Sequence, residues 1–340
     1  IQALIADWQQ DLKWVGDREI SSIFCGGGTP SLFSAPSLHQ LLTTIATSVP
    51  FKKEVEITLE ANPGTLETNS LAALRAAGIN RLSIGAQSFQ ADKLRALGRI
   101  HGAEAIVQAM QQAKQAGFTR INLDLMYGLP QQTWKDALYD LQQACQLQPT
   151  HLSWYQLTLE PNTPFYRTPP PLPTEDEVIA IAEQGEAYLS AEGYERYEIS
   201  AYSQNKDYCR HNVNYWQYGD YIGIGAGAHG KITLKDGTIM RTVKKKHPKH
   251  YLEGNLFTQE ENVVTQQDAL FEFMLNALRL QGKIAWGLLE QRSGWQRQAV
   301  FAYCDDLVQK GLLEYNAEYF YLTAMGRNFT NEAISAFLPE

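Results

Sequence analysis

The chain has 340 residues, 44% of them hydrophobic and 19% charged, with a formal charge of −8. A chain of this length can bury roughly three quarters of its unfolded surface, which suits one large core and an appended domain. The acidic balance speaks against general nucleic-acid binding. No apolar run approaches the ~18 residues of a membrane span. Four scattered cysteines form no disulfide framework and fit a reducing, cytoplasmic compartment.

Ile1, Leu4, Ile5, Trp8, Leu12 and Val15 follow helical spacing with no capping residue ahead of them, so this helix is expected to continue something longer upstream. Residues 20–28, 54–60, 81–86, 120–126 and 151–159 are short, apolar and rich in Ile, Leu and Val, and read as strands. Helical stretches near 37–48, 68–77, 102–117 and 134–147 separate them, with Gly78 and Gly117 where C-terminal caps belong. Such βα repetition predicts a parallel sheet. A proline run at 169–171 and Pro173 interrupts it. Thr174 and Glu177 then make a capping box for a helix to about residue 192. After Gly193, residues 197–201 are expected to add a sixth strand, and a glycine-rich stretch follows at 219–230. These elements place the main domain at 1–240. A charged linker is expected at 241–261, and a winged-helix-like domain at 262–340, with helices at 265–280, 284–292 and 298–310 and a hairpin at 312–322. That tail holds more Asp and Glu than Lys and Arg, a balance that favours a structural module over a DNA reader.

Each of the first four strands runs into glycine and a polar residue: Gly26-Gly27-Gly28-Thr29, Glu60-Ala61-Asn62-Pro63, Gly85-Ala86-Gln87-Ser88 and Asp124-Leu125-Met126-Tyr127-Gly128. In wound α/β folds this gathers polar groups at the carboxyl rim of the sheet, where ligands bind. The glycines allow close backbone approach. Glu60 at an apolar strand end calls for a cation or hydroxyl partner, and Arg99 can hold a carboxylate bidentately. Taken singly, each has a plain alternative: a tight turn, a solvated carboxylate, a surface arginine, an Asp124 that only orients the Tyr127-Gly128 turn. Farther on, Cys209-Arg210-His211-Asn212-Val213-Asn214-Tyr215-Trp216 combines two types of haem-iron ligand with aromatic rings, although a lone histidine is more often structural. His229 is a second candidate. The only basic cluster, Lys244 to His250, is read as a solvated face that propionates or anionic lipid could also meet.

GGGTPS, EANPG, RLSIGAQSF, LGRIHG, LDLMYGLP, LSWYQLTLEPNTPF and HNVNYWQYGDYIGIGAGAHG together resemble the HemN/HemW group of radical S-adenosylmethionine proteins over essentially the whole chain. The resemblance implies a partial TIM-like (β/α)6 barrel, whose first strand lies ahead of this sequence, with a C-terminal winged-helix-like domain. It implies S-adenosylmethionine contacts at Gly27, Gly28, Thr29, Glu60, Gln87, Arg99 and Asp124. It also implies a [4Fe-4S] cluster on a C-x3-C-x2-C motif ahead of residue 1, so the chain as written is not expected to carry out radical chemistry. The HNxxYW segment resembles one associated with haem handling. On that basis His211 is the expected iron ligand and Asn212, Tyr215 and Trp216 the expected haem contacts. The function implied is a haem chaperone that delivers haem to a respiratory haem protein, possibly at the membrane surface. The alternative is oxygen-independent coproporphyrinogen III oxidation, which would use the same rim.

Overall fold

The structure, a computed structural model, describes residues 1–65 and 70–339. In chain order its helices and strands are α1 (Gln2–Asp11), β1 (Ile20–Cys25), α2 (Ala35–Ser48), β2 (Phe51–Ala61), α3 (Leu71–Ala76), β3 (Arg81–Gln87), α4 (Ala91–Ala96), α5 (Ala103–Gln115), β4 (Arg120–Tyr127), α6 (Trp134–Gln146), β5 (His151–Gln156), α7 (Pro164–Arg167), α8 (Glu175–Ala191), β6 (Glu195–Arg196) and β7 (Ala201–Ser203). There follow α9 (Arg210–Trp216), β8 (His229–Thr233), β9 (Ile239–Lys244), α10 (Pro248–Leu252), β10 (Thr258–Val263), α11 (Gln266–Ala277), β11 (Ile284–Ala285), α12 (Trp286–Ser293), α13 (Arg297–Gln309), β12 (Leu313–Tyr315), β13 (Tyr319–Leu322), α14 (Ala324–Asn328) and α15 (Thr330–Ser335). The chain divides into two compact units. One comprises 21–42 and 52–208; the other comprises 1–20, 43–51 and the chain from Cys209 on.

The sheet runs in the order β1-β2-β3-β4-β5-β7-β6, and β2 to β5 pair in parallel. Period-two alternation explains its two faces. Leu59, Leu82, Ile84, Leu123, Leu125 and Leu152 are fully buried, while Glu60, Ser83, Asn122, Asp124 and Ser153 point the other way. Ile106, Met110, Leu141, Ile181 and Leu189 of α5, α6 and α8 are buried as well, as the inward stripes of amphipathic helices require. Gly78 and Gly117 end α3 and α5 at φ +113° and +85°, a backbone that costs glycine no Cβ clash. The Thr174–Glu177 capping box forms at the start of α8. The first two residues of the helix expected at 68–77 lie outside the described residues.

The sixth strand expected at 197–201 is not there. Only β6 and β7 form, short and antiparallel, at the sheet edge. Glu198 is the cause: its buried carboxylate accepts from the backbone of Ser200, Ile199 and Ala201 and folds the segment into a turn. Among the described residues β2 to β5 stand parallel, and an antiparallel edge takes the place of the one further strand expected at 197–201.

In the other unit β10, β9 and β8 form an antiparallel sheet. Residues 241–261, read from sequence as a linker, thus contribute most of β9 and β10 and the whole of α10. Lys244 is the local reason. It is fully buried, with its ammonium 2.6 Å from Asp7 and 2.7 Å from Asp11 of α1, so it belongs to a core and not to a solvated run. A second core joins α11, α12, α13, α15 and the β11-β13-β12 sheet around Phe273, Trp286, Phe320 and Phe337, all fully buried.

Candidate functional site

The strand ends of the first unit assemble a polar cleft wall by register. Glu60 is paired with Ser83, Ser83 with Asn122, Gly85 with Asp124 and Asp124 with Ser153, which brings their side chains to one face. Asn122 is the hub: its amide Nδ2 donates to Ser83 Oγ at 2.9 Å, Asp124 Oδ1 at 2.7 Å and Ser153 Oγ at 2.9 Å. Burial raises the Asp124 carboxyl to about 6, and the charge of Glu60 pushes in the same direction, against hydrogen bonds from Ser153 and Asn122. Burial also raises Glu60, partly offset by the Gly27 amide, which donates to its Oε2 at 3.2 Å. Two carboxylates held above their ordinary proton affinity are suited to receiving hydroxyl or ammonium donors from a ligand.

Gly26 to Gly28 form the adjoining cradle. Gly27 and Gly28 have φ of +78° and +62°, and a Cβ on either would meet nothing within 4 Å. The backbone there is open to a ligand. Thr29 follows at the entry to a short 3-10 turn, with no capping bond from its side chain. Gln87 ends β3 at φ +69°, a conformation costly for a residue with a Cβ. It is held there from two sides. Tyr155 donates to Gln87 Oε1 at 2.8 Å. Beyond it, buried Asp140 of α6 accepts from Phe89 N at 2.8 Å and Ser88 Oγ at 2.7 Å. Arg99 is turned back by Gly98 (φ +68°) at the end of α4, and its Nη1 donates to Asn62 Oδ1 at 3.1 Å. Of the residues singled out by sequence, Glu60 thus meets Gly27 directly, Asp124 joins the strand network, and Gln87 and Arg99 are anchored through Tyr155 and Asn62. Asp124 bonds along the strands, to Ser83 and Asn122. Sequence reasoning missed Ser83, Asn122, Ser153, Tyr155 and Asp140. Alternation along each strand was the signal that held the first four.

The second unit carries the HNxxYW segment on α9, two turns long. The spacing places His211 and Tyr215 at i, i+4 on one face and Asn212 and Trp216 on the next. Cys209 is the N-cap and is fully buried, its sulfur 3.1 Å from His211 Nδ1 and 3.5 Å from Nε2. Tyr215 is 44% exposed. It packs edge-on against Trp216 at 5.2 Å and beside Tyr221 at 5.7 Å. The Arg279 guanidinium lies 5.8 Å from the Trp216 ring. Tyr221 accepts from Arg241 Nη1 at 2.9 Å, and Arg241 is ion-paired to Glu272 at 2.7 Å. Asn214 donates to Asp220 O, and Gly219 is needed beside it, since a Cβ there would sit 2.1 Å from Asn214 Oδ1. His229 opens β8, exposed. Its backbone abuts Gly223, where a Cβ would come within 2.0 Å of the His229 carbonyl. That contact fixes the loop and leaves the imidazole on the surface.

The cysteines do not fit a cluster. Burial pushes the thiols of Cys25, Cys145 and Cys304 up to about 11, 12 and 12. Among the described residues no three of them gather as a metal-binding group.

Residues 3–144 match the Radical SAM superfamily and residues 264–329 the HemN C-terminal domain. The chain is 46% identical to heme chaperone HemW of Haemophilus influenzae over all of its own length and 88% of that protein. With heme chaperone HemW of Escherichia coli the identity is 44% over all of the chain and 90% of the relative, and with that of Bacillus subtilis 33% over all of the chain and 91% of the relative. The solved coproporphyrinogen III oxidase HemN of Escherichia coli, described as a radical SAM enzyme, superposes with a TM-score of 0.81. That match is at 23% identity and covers 99% of this chain and 82% of the other, a likeness of fold.

Proposed function

Because the chain belongs to the HemW family of radical S-adenosylmethionine proteins, we propose that it is a haem chaperone that carries haem on α9 and hands it to a respiratory haem protein. The observation that carries the reading is the α9 face. A histidine and a half-exposed tyrosine lie one turn apart, flanked by Trp216 and backed by Tyr221 and Arg241. The His211 imidazole lies beside the Cys209 sulfur and is the proposed iron ligand. Cys209, fully buried, is the poorer ligand. Tyr215 and Trp216 would stack on the porphyrin, and Asn212 would meet a propionate.

The rim of the first unit suits S-adenosylmethionine. The amides of Gly27 and Gly28, with Thr29, would receive its amino-acid end. Arg99 would pair with its carboxylate, Glu60 and Asp124 would accept from its ammonium and ribose hydroxyls, and Gln87 would border them. In this superfamily the bound cofactor and a [4Fe-4S] cluster supply reductive radical chemistry. This chain's own rim residues would bind and orient the cofactor. The oxidase alternative rests on the fold likeness alone, whereas the family relation favours the chaperone.

The test is a haem titration followed by Soret absorbance, beside His211→Ala. A saturable haem phase lost in the variant supports α9 as the carrier. A phase indifferent to the substitution moves the ligand elsewhere. Failure of the chain to bind haem at all removes the chaperone reading.

A further inference from the structure

Three cations of the second unit lie over the aromatic rings at the end of α9. The Lys231 ammonium and the Arg241 guanidinium are 4.1 Å and 5.8 Å from the Tyr218 ring, and the Arg279 guanidinium is 5.8 Å from the Trp216 ring. The first two are neutralised. Lys231 is paired to Asp220 at 2.9 Å and Arg241 to Glu272 at 2.7 Å. Arg241 is also fully committed, with Nε and Nη2 on Glu272 and Nη1 on the Tyr221 hydroxyl. Arg279 differs. It is half-buried and directly follows Leu278, the C-cap of α11, and its Nε donates to the Leu275 carbonyl at 3.0 Å. That bond satisfies one carbonyl at the helix end. Among the described residues Arg279 is in no ion pair, and its two terminal nitrogens have no acceptor. Withdrawing a guanidinium from water without a counter-charge is costly, and capping the helix accounts for Nε alone.

From this contrast we infer that Arg279 reads the carboxylates of the α9 ligand: it receives a propionate of the haem and so selects a porphyrin with free acid side chains. The inference rests on the reading of α9 as the haem carrier. Contact with the face of an indole leaves the in-plane N–H groups of a guanidinium free for a bidentate carboxylate. A porphyrin laid against Tyr215 and Trp216 carries its carboxylates at its margin, and Arg279 borders that aromatic surface through Trp216. Two propionates call for two donors. Asn212, one turn before Trp216 on the same helix face, offers a neutral amide to one. Arg279 offers the other a charge-assisted pair, the stronger contact.

The experiment titrates haem and haem dimethyl ester, whose side chains carry no charge, into the full chain and Arg279→Gln, at low and high salt. The parent should prefer the free acid by about tenfold or more, and salt should narrow that preference. In Arg279→Gln the preference should shrink about fivefold or more. Affinity for the ester should hold, and the Soret maximum of bound haem, set by the iron ligand, should not move. Arg279→Met keeps an unbranched stem against Trp216 and repeats the test should glutamine disturb folding. A lower denaturation midpoint with the preference intact makes Arg279 a helix cap only and overturns the inference. Equal loss of acid and ester affinity overturns it too, because the residue would then pack the site without reading the carboxylate. So does a parent that binds acid and ester alike. Each of these leaves the α9 reading standing where haem binding still requires His211, whereas a parent that binds no haem removes that reading and this inference with it.

Discussion

The rim of the first unit and the α9 face of the second meet the same demand, polar groups held ready for a ligand, by opposite means. At the rim, backbone register does the positioning. Ser83, Asn122, Asp124 and Ser153 sit on three adjacent strands and bond one another directly, so the cost of burying a carboxylate is offset only in part before any ligand arrives. On α9 the helix is too short to be stable alone. Its pose comes from side chains outside it, through Asn214 to Asp220 and through Tyr221, Arg241 and Glu272. The first design tunes proton affinity; the second presents exposed aromatic surface. A perturbation of packing should therefore spread through the sheet unit but remain local around α9.

The largest expected effect tests the sheet unit. Gly185 of α8 lies against Trp154 of β5, and a Cβ there would be 1.8 Å from the indole. Gly185→Ala should gain about 1 kcal/mol of helix propensity and lose more to overpacking. The net destabilisation is expected to be about 2–3 kcal/mol, read as a lower denaturation midpoint. Because Trp154 adjoins Ser153 and Tyr155 in the chain, both bonded into the rim, S-adenosylmethionine binding should weaken with it, while the haem phase dependent on His211 holds. Equal damage to both would break the contrast between the two regions.

Next comes Gly219→Ala, the counterpart in the second unit. The added Cβ would collide with Asn214 at 2.1 Å from Oδ1 and 2.7 Å from its carbonyl, so the end of α9 must move. Overpacking of this kind costs about 1–3 kcal/mol, and haem affinity should fall about tenfold or more with cofactor binding unchanged. This glycine also marks what the sequence could tell. The βα repeat was legible because each strand alternates and each helix ends on a glycine such as Gly78 or Gly117. The rim candidates were legible as strand-end polar residues. The partners Asn122 and Tyr155 were not, because register, a non-local property, decides which strand residues meet. The strand expected at 197–201 failed because the buried Glu198 carboxylate accepts from three backbone amides of the same segment. Lys244 looked like part of a solvated run because its partners, Asp7 and Asp11, lie more than two hundred residues away.

A smaller effect comes with a pH signature. Asp124 is raised to about 6 in the folded chain, above its unfolded value of roughly 3.9. Between these values the folded state binds more protons than the unfolded, so this group's contribution to stability falls as pH rises through about 6. Asp124→Asn should remove that slope. After allowing for the altered hydrogen bonds, it should stabilise the fold by about 1–2 kcal/mol at pH 8, measured by urea unfolding at pH 4.5 and 8. Cofactor binding, followed by equilibrium dialysis, should drop in the same variant. Stability gained with binding lost would mark Asp124 as a group retained for its ligand. A variant equally stable at both pH values relative to the parent would instead make Asp124 an ordinary structural carboxylate.

The smallest effect separates the two supports of α9. Tyr221 offers Tyr215 a ring at 5.7 Å and offers Arg241 a hydroxyl at 2.9 Å. Tyr221→Phe removes only the hydroxyl. Arg241 keeps its ion pair with Glu272, so the loss should be about 1 kcal/mol of stability, with haem affinity within about twofold of the parent. Tyr221→Ala removes the ring as well and should lower haem affinity more than it lowers stability, because the face of Tyr215 loses its backing while the second core, built around Phe273 and Trp286, is untouched. If the phenylalanine variant already loses the haem phase, the pose of α9 depends on the Arg241 hydrogen bond. The second unit would then rely, like the rim, on a polar network and not on ring packing.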